Sequence, residues 1–236
     1  RLVLDEIALH PAGFPAQEKL RVLDLGSGPG AGLLGMLDFI GNRKQPDPDC
    51  VAVDRVGGNL AVCRELFAQR RDARGLTGSL RTVQAELDEA VQQIDGPFDV
   101  IILANVLNEL YLHDPARDRR RYALVAGTLD RLLAQTGSCI VIEPALRETS
   151  RDLLVLRDRL LADGRTVYAP CIGSMACPAL TNPRDWCHAD LAWVPPPAVA
   201  ELSAITGLHR ESLKFSYIVL RKDGVRLADR CRTDIY

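Results

Sequence analysis

Two groups of residues have the types and spacing to do chemistry. The first is an acid followed by closely spaced glycines, Asp24-Leu-Gly26-Ser27-Gly28-Pro-Gly30-Ala-Gly32. Glycine has no Cβ, so this backbone can turn sharply and approach a ligand closely. Unpaired N–H groups at the start of the helix that follows favour a polar or anionic ligand group. The second group is Cys171, Cys177 and Cys187, three thiols within seventeen residues of a segment rich in proline, glycine and asparagine. A loop so long and so poor in core residues must be held by something else, and thiolates are the ligands that iron–sulfur clusters and zinc select. Three thiolates are one ligand short, and Cys231, 44 residues beyond Cys187, competes with His188 for the fourth place. Zinc accepts three cysteines and a histidine but more often shows paired ligands about two to four residues apart, a spacing missing here.

The elements that must position these residues alternate. Val22, Leu23 and Leu25 read as a short buried strand, and Leu33, Leu34, Met36, Leu37 and Ile40 as the helix after the glycines. Cys50 to Val53 form a second strand ending at Asp54, where doubly wound folds hydrogen-bond the ribose hydroxyls of a nucleoside. Asn59 to Gln69 is an amphipathic helix. Leu80 to Leu87 is read as a third strand, with Glu86 near its end beside an adenine edge or facing water. Phe98 to Ala104 is the clearest buried parallel strand, and Asn105-Val-Leu-Asn108-Glu109 follows at its carboxyl end, where open α/β sheets do their chemistry. Asn105 and Asn108 are the catalytic candidates there, with a helix cap and a solvated turn as the competing reading.

Asp114 to Gln135 is expected to be helical, its run Arg117-Asp-Arg-Arg-Arg121 a solvated face rather than a phosphate contact, and Gly137 its stop. Ser138 to Glu143 is a fifth strand, Glu148 to Asp163 a helix ended by Gly164, and Ser212 to Arg221 a closing strand. This alternation predicts an α/β fold, a doubly wound and mostly parallel seven-stranded sheet, with the cysteine-rich insertion before the last strands. The expected division is a Rossmann-like cofactor-binding core over 1–164, the insertion over 165–200, and C-terminal strands over 201–236.

Composition excludes some classes of function. The chain has 236 residues, 47% of them apolar, enough for one substantial core. A formal net charge of −2 gives no global nucleic-acid signature, although most basic residues are arginine, which suits bidentate phosphate contacts. No run of about eighteen apolar residues suggests a membrane span. The chain begins with Arg1 and shows no charged-then-apolar leader, so no compartment is read from that end. Seven cysteines do not form a secreted disulfide framework, and Cys50, Cys63 and Cys139 read as small buried hydrophobes.

The glycines alone also fit a dinucleotide fingerprint, Gly26-x-Gly28-x-x-Ala31, which keeps a nicotinamide-dependent redox protein as an alternative. With Asp24 two residues ahead and glycine at every second position, the loop resembles the first motif of class I S-adenosylmethionine (SAM) methyltransferases. That resemblance implies SAM as cofactor, with Asp24, Gly26, Ser27, Gly28, Gly30, Asp54, Glu86 and Asn105 around it. The Asn- or Asp-Pro-Pro-aromatic tetrad of amino-methylating enzymes is absent, since this chain reads Asn105-Val106-Leu107-Asn108 there.

A wider set of motifs carries a more specific resemblance. The glycine loop, Asn105-Val-Leu-Asn-Glu-Leu, Ile142-Glu143-Pro144, Ala169-Pro-Cys171, Cys177-Pro178, Asp185-Trp-Cys187-His188 and Lys214-Phe-Ser-Tyr217 resemble the methyltransferase-like family of the mitochondrial small ribosomal subunit and its bacterial relatives. The resemblance implies a [4Fe–4S] cluster, with zinc as the alternative, on Cys171, Cys177, Cys187 and Cys231. It implies the small ribosomal subunit and its rRNA as partners, through rRNA methylation or non-catalytic assembly. No membrane partner is expected, and the compartment would be the cytoplasm of a bacterium, the preferred reading, or the mitochondrial matrix of a eukaryote. Two segments depart from the family pattern: Ile172-Gly173 stand where Pro-His is usual, and the surroundings of Cys231 match only loosely.

Overall fold

The computed structural model describes residues 1–10, 13–14, 19–43, 46–208 and 212–231. In chain order the elements are α1 (Leu2–Ala8), β1 (Lys19–Leu25), α2 (Ala31–Arg43), β2 (Asp47–Asp54), α3 (Gly57–Ala73), β3 (Ser79–Gln84), α4 (Leu87–Gln93) and β4 (Phe98–Ala104). Then come α5 (Arg117–Leu132), β5 (Leu133–Pro144), α6 (Arg147–Ala162), β6 (Thr166–Ala169), β7 (Ala189–Ala192), α7 (Pro197–Thr206), β8 (Ser212–Arg221) and α8 (Leu227–Cys231). The sheet runs β3-β2-β1-β4-β5-β8-β6, with β7 pairing the outer part of β8. Strands β1 to β5 pair parallel, and β8 runs antiparallel to β5, β6 and β7. The expected α/β class is therefore present, with seven strands along the main path and an eighth beside β8 among the described residues.

Alternating side chains build the two faces of the sheet. Leu23, Leu25, Val53, Ile101, Leu103 and Val141 pack on one side with apolar residues of α4, α5 and α6. Val22, Ala52, Val100, Ile102, Ile140 and Val219 pack on the other with those of α1, α2 and α3. Burial on both faces is why β4 is apolar almost throughout. Strand order reverses between β1 and its neighbours β2 and β4, so a crevice opens at the carboxyl ends of these strands.

Two local expectations give way. β3 ends at Gln84, and Glu86 is the N-cap of α4, whose Leu87, Ala90 and Val91 are spaced for one buried helical face. α5 already ends at Leu132, and Gly137 lies inside β5, where a Cβ would come within 2.9 Å of both the Phe98 carbonyl oxygen and a Leu133 methyl. That glycine serves close strand pairing rather than helix termination.

Candidate functional site

The glycine loop leaves β1 with Gly26, Gly28 and Gly30 at φ of 75°, 51° and 94°. Side chains other than glycine rarely take this conformation. The loop is tied to β2: Gly26 N and Ser27 N each donate to the Val53 carbonyl at 2.9 Å, and Gly28 N donates to Asp54 Oδ2 at 2.9 Å. The other oxygen of Asp54 accepts from Val56 N at 2.8 Å and from Asn59 Nδ2 at 3.4 Å. A second close approach fixes the helix side, since a Cβ on Gly30 would lie 2.6 Å from the buried Cys63 Sγ of α3.

Above these strand ends is an open crevice of about 690 Å³, lined among others by Gly26, Asp54, Asn59, Glu86, Asn105 and Glu109. Asp24, by contrast, is 2% exposed and sits beneath the loop, accepting from the Leu33 backbone N–H at the start of α2. Its Oδ2 is buried without a hydrogen-bond partner. Burial chiefly, reinforced by repulsion from Asp54 and opposed by the Leu33 N–H, pushes its carboxyl up to about 7. A buried, unused acceptor under a glycine loop suits a cationic ligand group overhead.

The segment after β4 is a tight turn. Asn105 has φ 56°, and its N–H donates to the Ile142 carbonyl at 2.8 Å. The turn is held from β5 by Glu143, whose carboxylate accepts from the backbone N–H groups of Val106 (3.2 Å), Leu107 (2.9 Å) and Asn108 (3.0 Å). Burial raises the Glu143 carboxyl, and those three N–H groups pull it back down. Oriented to satisfy both its ends, the Asn108 amide donates to the Asn105 carbonyl at 3.2 Å and to Glu143 Oε2 at 2.9 Å. Asn105 thus faces the crevice, whereas Asn108 is turned to Glu143 and to a second cavity of about 580 Å³ between α5 and α6. Glu143 is the residue that sequence reasoning missed as part of the site. Its signals were an acid at the end of an otherwise apolar strand and its place in the Ile142-Glu143-Pro144 motif, neither of which says what the carboxylate holds.

The basic run of α5 is largely committed within the chain. Arg120 pairs with Asp88 and Asp114, and the buried Arg121 pairs with Asp152 and donates to the Leu110 carbonyl. Cys50, Cys63 and Cys139 are buried, as expected.

The cysteine segment leaves the sheet after β6 and returns at β7. Cys171 packs against the α4–α6 core, Cys177 N donates to Asp158 Oδ2 at 2.8 Å, and the Cys187 carbonyl accepts from Ser216 Oγ at 2.8 Å. Burial first, then repulsion from Cys171 and Cys177, raises the Cys187 thiol, while Arg157 opposes the rise. The three thiols are therefore electrostatic neighbours. Among the described residues, no group of three or more histidine, cysteine or acidic side chains is gathered closely enough to hold a metal ion. The backbone of Cys231 ends α8, and its side chain lies outside the described residues. His188 stacks on Trp186 at 5.9 Å, and its Nδ1 is buried without a partner. In type, though not in spacing, the donors fit a soft metal centre: three thiols of one segment and an unused imidazole nitrogen.

Comparison with known proteins bears on this arrangement. Residues 1–230 match the family described as mitochondrial small ribosomal subunit Rsm22. The chain belongs to the Rsm22 family. No curated protein matches it. Among solved structures it is similar to a protein described as an rRNA-methylase candidate from Clostridium thermocellum, at 10% identity and TM-score 0.51, covering 93% of this chain and 96% of that one. It is also similar to a class I SAM-dependent methyltransferase candidate from Listeria monocytogenes, at 13% identity and TM-score 0.50. That match covers 92% of this chain but 56% of the Listeria chain. At such identities these likenesses establish the fold, that of class I SAM methyltransferases. No helix among the described residues is long and apolar enough to cross a membrane.

Proposed function

We propose that this Rsm22-family chain binds SAM in the crevice at the ends of β1, β2 and β4 and acts on the small ribosomal subunit. The observation that carries the reading is Asp54. Its carboxylate is fixed by Gly28 N–H and Val56 N–H at the crevice wall. A carboxylate has about four acceptor sites, and Gly28, Val56 and Asn59 take three, so Asp54 can accept one ribose hydroxyl with all three bonds kept, or a second in place of the long Asn59 bond. Asp24 would balance the cationic methionine end through the loop, Glu86 would border the adenine, and Asn105 would present polar atoms where the methyl group is delivered. SAM supplies an electrophilic methyl, and the protein's share is alignment and exclusion of water. Arginines and the cysteine lobe would meet rRNA.

We further propose that Cys171, Cys177 and Cys187, with Cys231 as fourth ligand, hold a [4Fe–4S] cluster in preference to zinc. A second reading, a SAM-binding assembly factor without methyl transfer, is favoured by one observation: the Asn108 amide is engaged by Asn105 and Glu143 rather than free for a substrate amine.

Calorimetry with SAM and with NAD, on wild type and Asp54→Ala, tests the crevice. Binding of SAM alone, lost in the variant, is expected, and NAD binding with silent SAM refutes the reading. Methyl incorporation from labelled SAM into small-subunit rRNA, above an Asp24→Ala control, separates enzyme from assembly factor. Iron and acid-labile sulfide in anaerobically purified protein support the cluster, whereas stoichiometric zinc refutes it.

A further inference from the structure

The cysteine segment has little core of its own and is instead fastened to α6. Arg151 Nη1 donates to the carbonyls of Ala179 (3.0 Å), Asn182 (2.9 Å) and Asp185 (2.7 Å), gathering the outer part of the loop. Nearly two turns further along α6, Arg157 is 3% exposed. Its Nη1 donates to the Met175 carbonyl at 2.7 Å and its Nη2 to the Gly173 carbonyl at 2.9 Å, so it grips the backbone between Cys171 and Cys177. Its ion-pair partner Asp158 accepts the Cys177 N–H at 2.8 Å. The guanidinium stands beside the Cys171 thiol and acts on the charge of Cys187. One donor is left over, because Arg157 Nε is buried with no hydrogen-bond partner.

A buried donor is seldom left unused, and burying a guanidinium is costly unless its whole fork is engaged. We infer that Arg157 is the positioning and counter-charge residue of the thiolate-held centre: its two terminal nitrogens set the loop between the first two cysteines, and its Nε proton and positive charge serve the sulfur-bound group. This rests on the reading that the cysteines hold such a centre. Donors and positive charge next to cluster sulfurs favour the reduced, more negative form, so Arg157 would raise the reduction potential. In a zinc centre the same contacts would slow metal loss.

The test uses the whole chain, purified without oxygen, as wild type, Arg157→Gln, Arg157→Lys and Arg151→Gln. Metal and acid-labile sulfide per chain, the rate of metal loss to a chelator, and the midpoint potential by mediated titration are read in each. Arg157→Gln is expected to lose metal about tenfold faster, the equivalent of one lost hydrogen bond, and to move the midpoint to a more negative value. Arg157→Lys restores the midpoint but not retention, because an ammonium lacks the planar fork that spans two carbonyls. Arg151→Gln leaves the midpoint where it is, a contrast that a purely structural role for Arg157 would not produce. If Arg157→Gln does not fold, faster metal loss from Arg157→Lys at unchanged midpoint upholds the inference, and wild-type retention in it overturns the positioning role. Equal retention and equal midpoint in Arg157→Gln and wild type overturn the inference while leaving the centre intact. A wild-type chain without metal overturns the centre itself, and is seen before any variant is made.

Discussion

Replacing Asp24 with asparagine removes the most perturbed carboxyl beneath the glycine loop while keeping an oxygen for the Leu33 N–H. Burial lifts the folded-state value from 3.8 to about 7. A rise of about 3 pH units, at roughly 1.36 kcal/mol each, corresponds to about 4 kcal/mol between the protonated and ionised folded states. Because the folded chain keeps this proton to higher pH than the unfolded chain, the stabilising contribution is fully present below about pH 4 and is lost as pH rises through about 7. The substituted side chain cannot titrate, although its amide nitrogen takes up the unpartnered position of Oδ2 at a cost independent of pH. The stability of Asp24→Asn relative to wild type should therefore climb by up to about 4 kcal/mol between pH 4 and pH 8, whatever its offset. Urea unfolding of both proteins at half-unit pH steps measures this difference directly, with the other titrating groups cancelling. A difference that changes by less than about 1 kcal/mol across that range refutes the account of Asp24 as a buried, charge-intolerant acid. The same proton links to the ligand: SAM should bind wild type more tightly at pH 8 than at pH 6, and the variant should lose that dependence.

Glu143→Gln places an amide against three backbone N–H groups that a carboxylate now satisfies, and should destabilise the protein by about 1–3 kcal/mol in urea titrations. Glu143→Ala should cost more. Gly30→Ala meets both the positive φ and the Cys63 sulfur, so a loss of about 1–3 kcal/mol is expected. Adding Cys63→Ala should recover part of that loss, and a double-mutant cycle with no coupling would show that the sulfur contact is unimportant. Arg121→Ala leaves Asp152 and the Leu110 carbonyl without their partner, so its midpoint of thermal unfolding should fall, whereas alanine at the exposed Arg117 should change it little.

The parts of the fold legible in the sequence are those that consecutive residues determine. The closing strand spans 212–221 as the run Phe215-Ser-Tyr-Ile-Val-Leu220 suggests, and β4 follows its apolar stretch. α4 escaped notice because seven residues with three apolar positions scarcely differ from a strand end. The site was legible where one segment contains its own chemistry, as in the glycine loop, and illegible where it comes from segments meeting in space. Nothing local to Glu143 says that its carboxylate will reach across to the turn after β4. Nothing in Arg151 or Arg157 says that these α6 residues will be committed to carbonyls of a loop 16 to 34 positions away.

Strand β8 belongs to three pairings at once: Ser212 to Phe215 with β7, Phe215 to Leu220 with β5, and Val219 to Arg221 with β6. Latest in chain order among the described strands, it is also the one that joins the thiol-bearing excursion to the rest of the sheet. Until it forms, β5 has an open edge and β7, by which the cysteine segment returns to the sheet, has no partner, so the proposed centre should be loaded only once residues 212–221 are in place. A polypeptide stopped short of residue 212 would keep every glycine of the crevice yet lack the strand that pairs with both β5 and β7, so the crevice and the proposed centre would part company at that point in biogenesis.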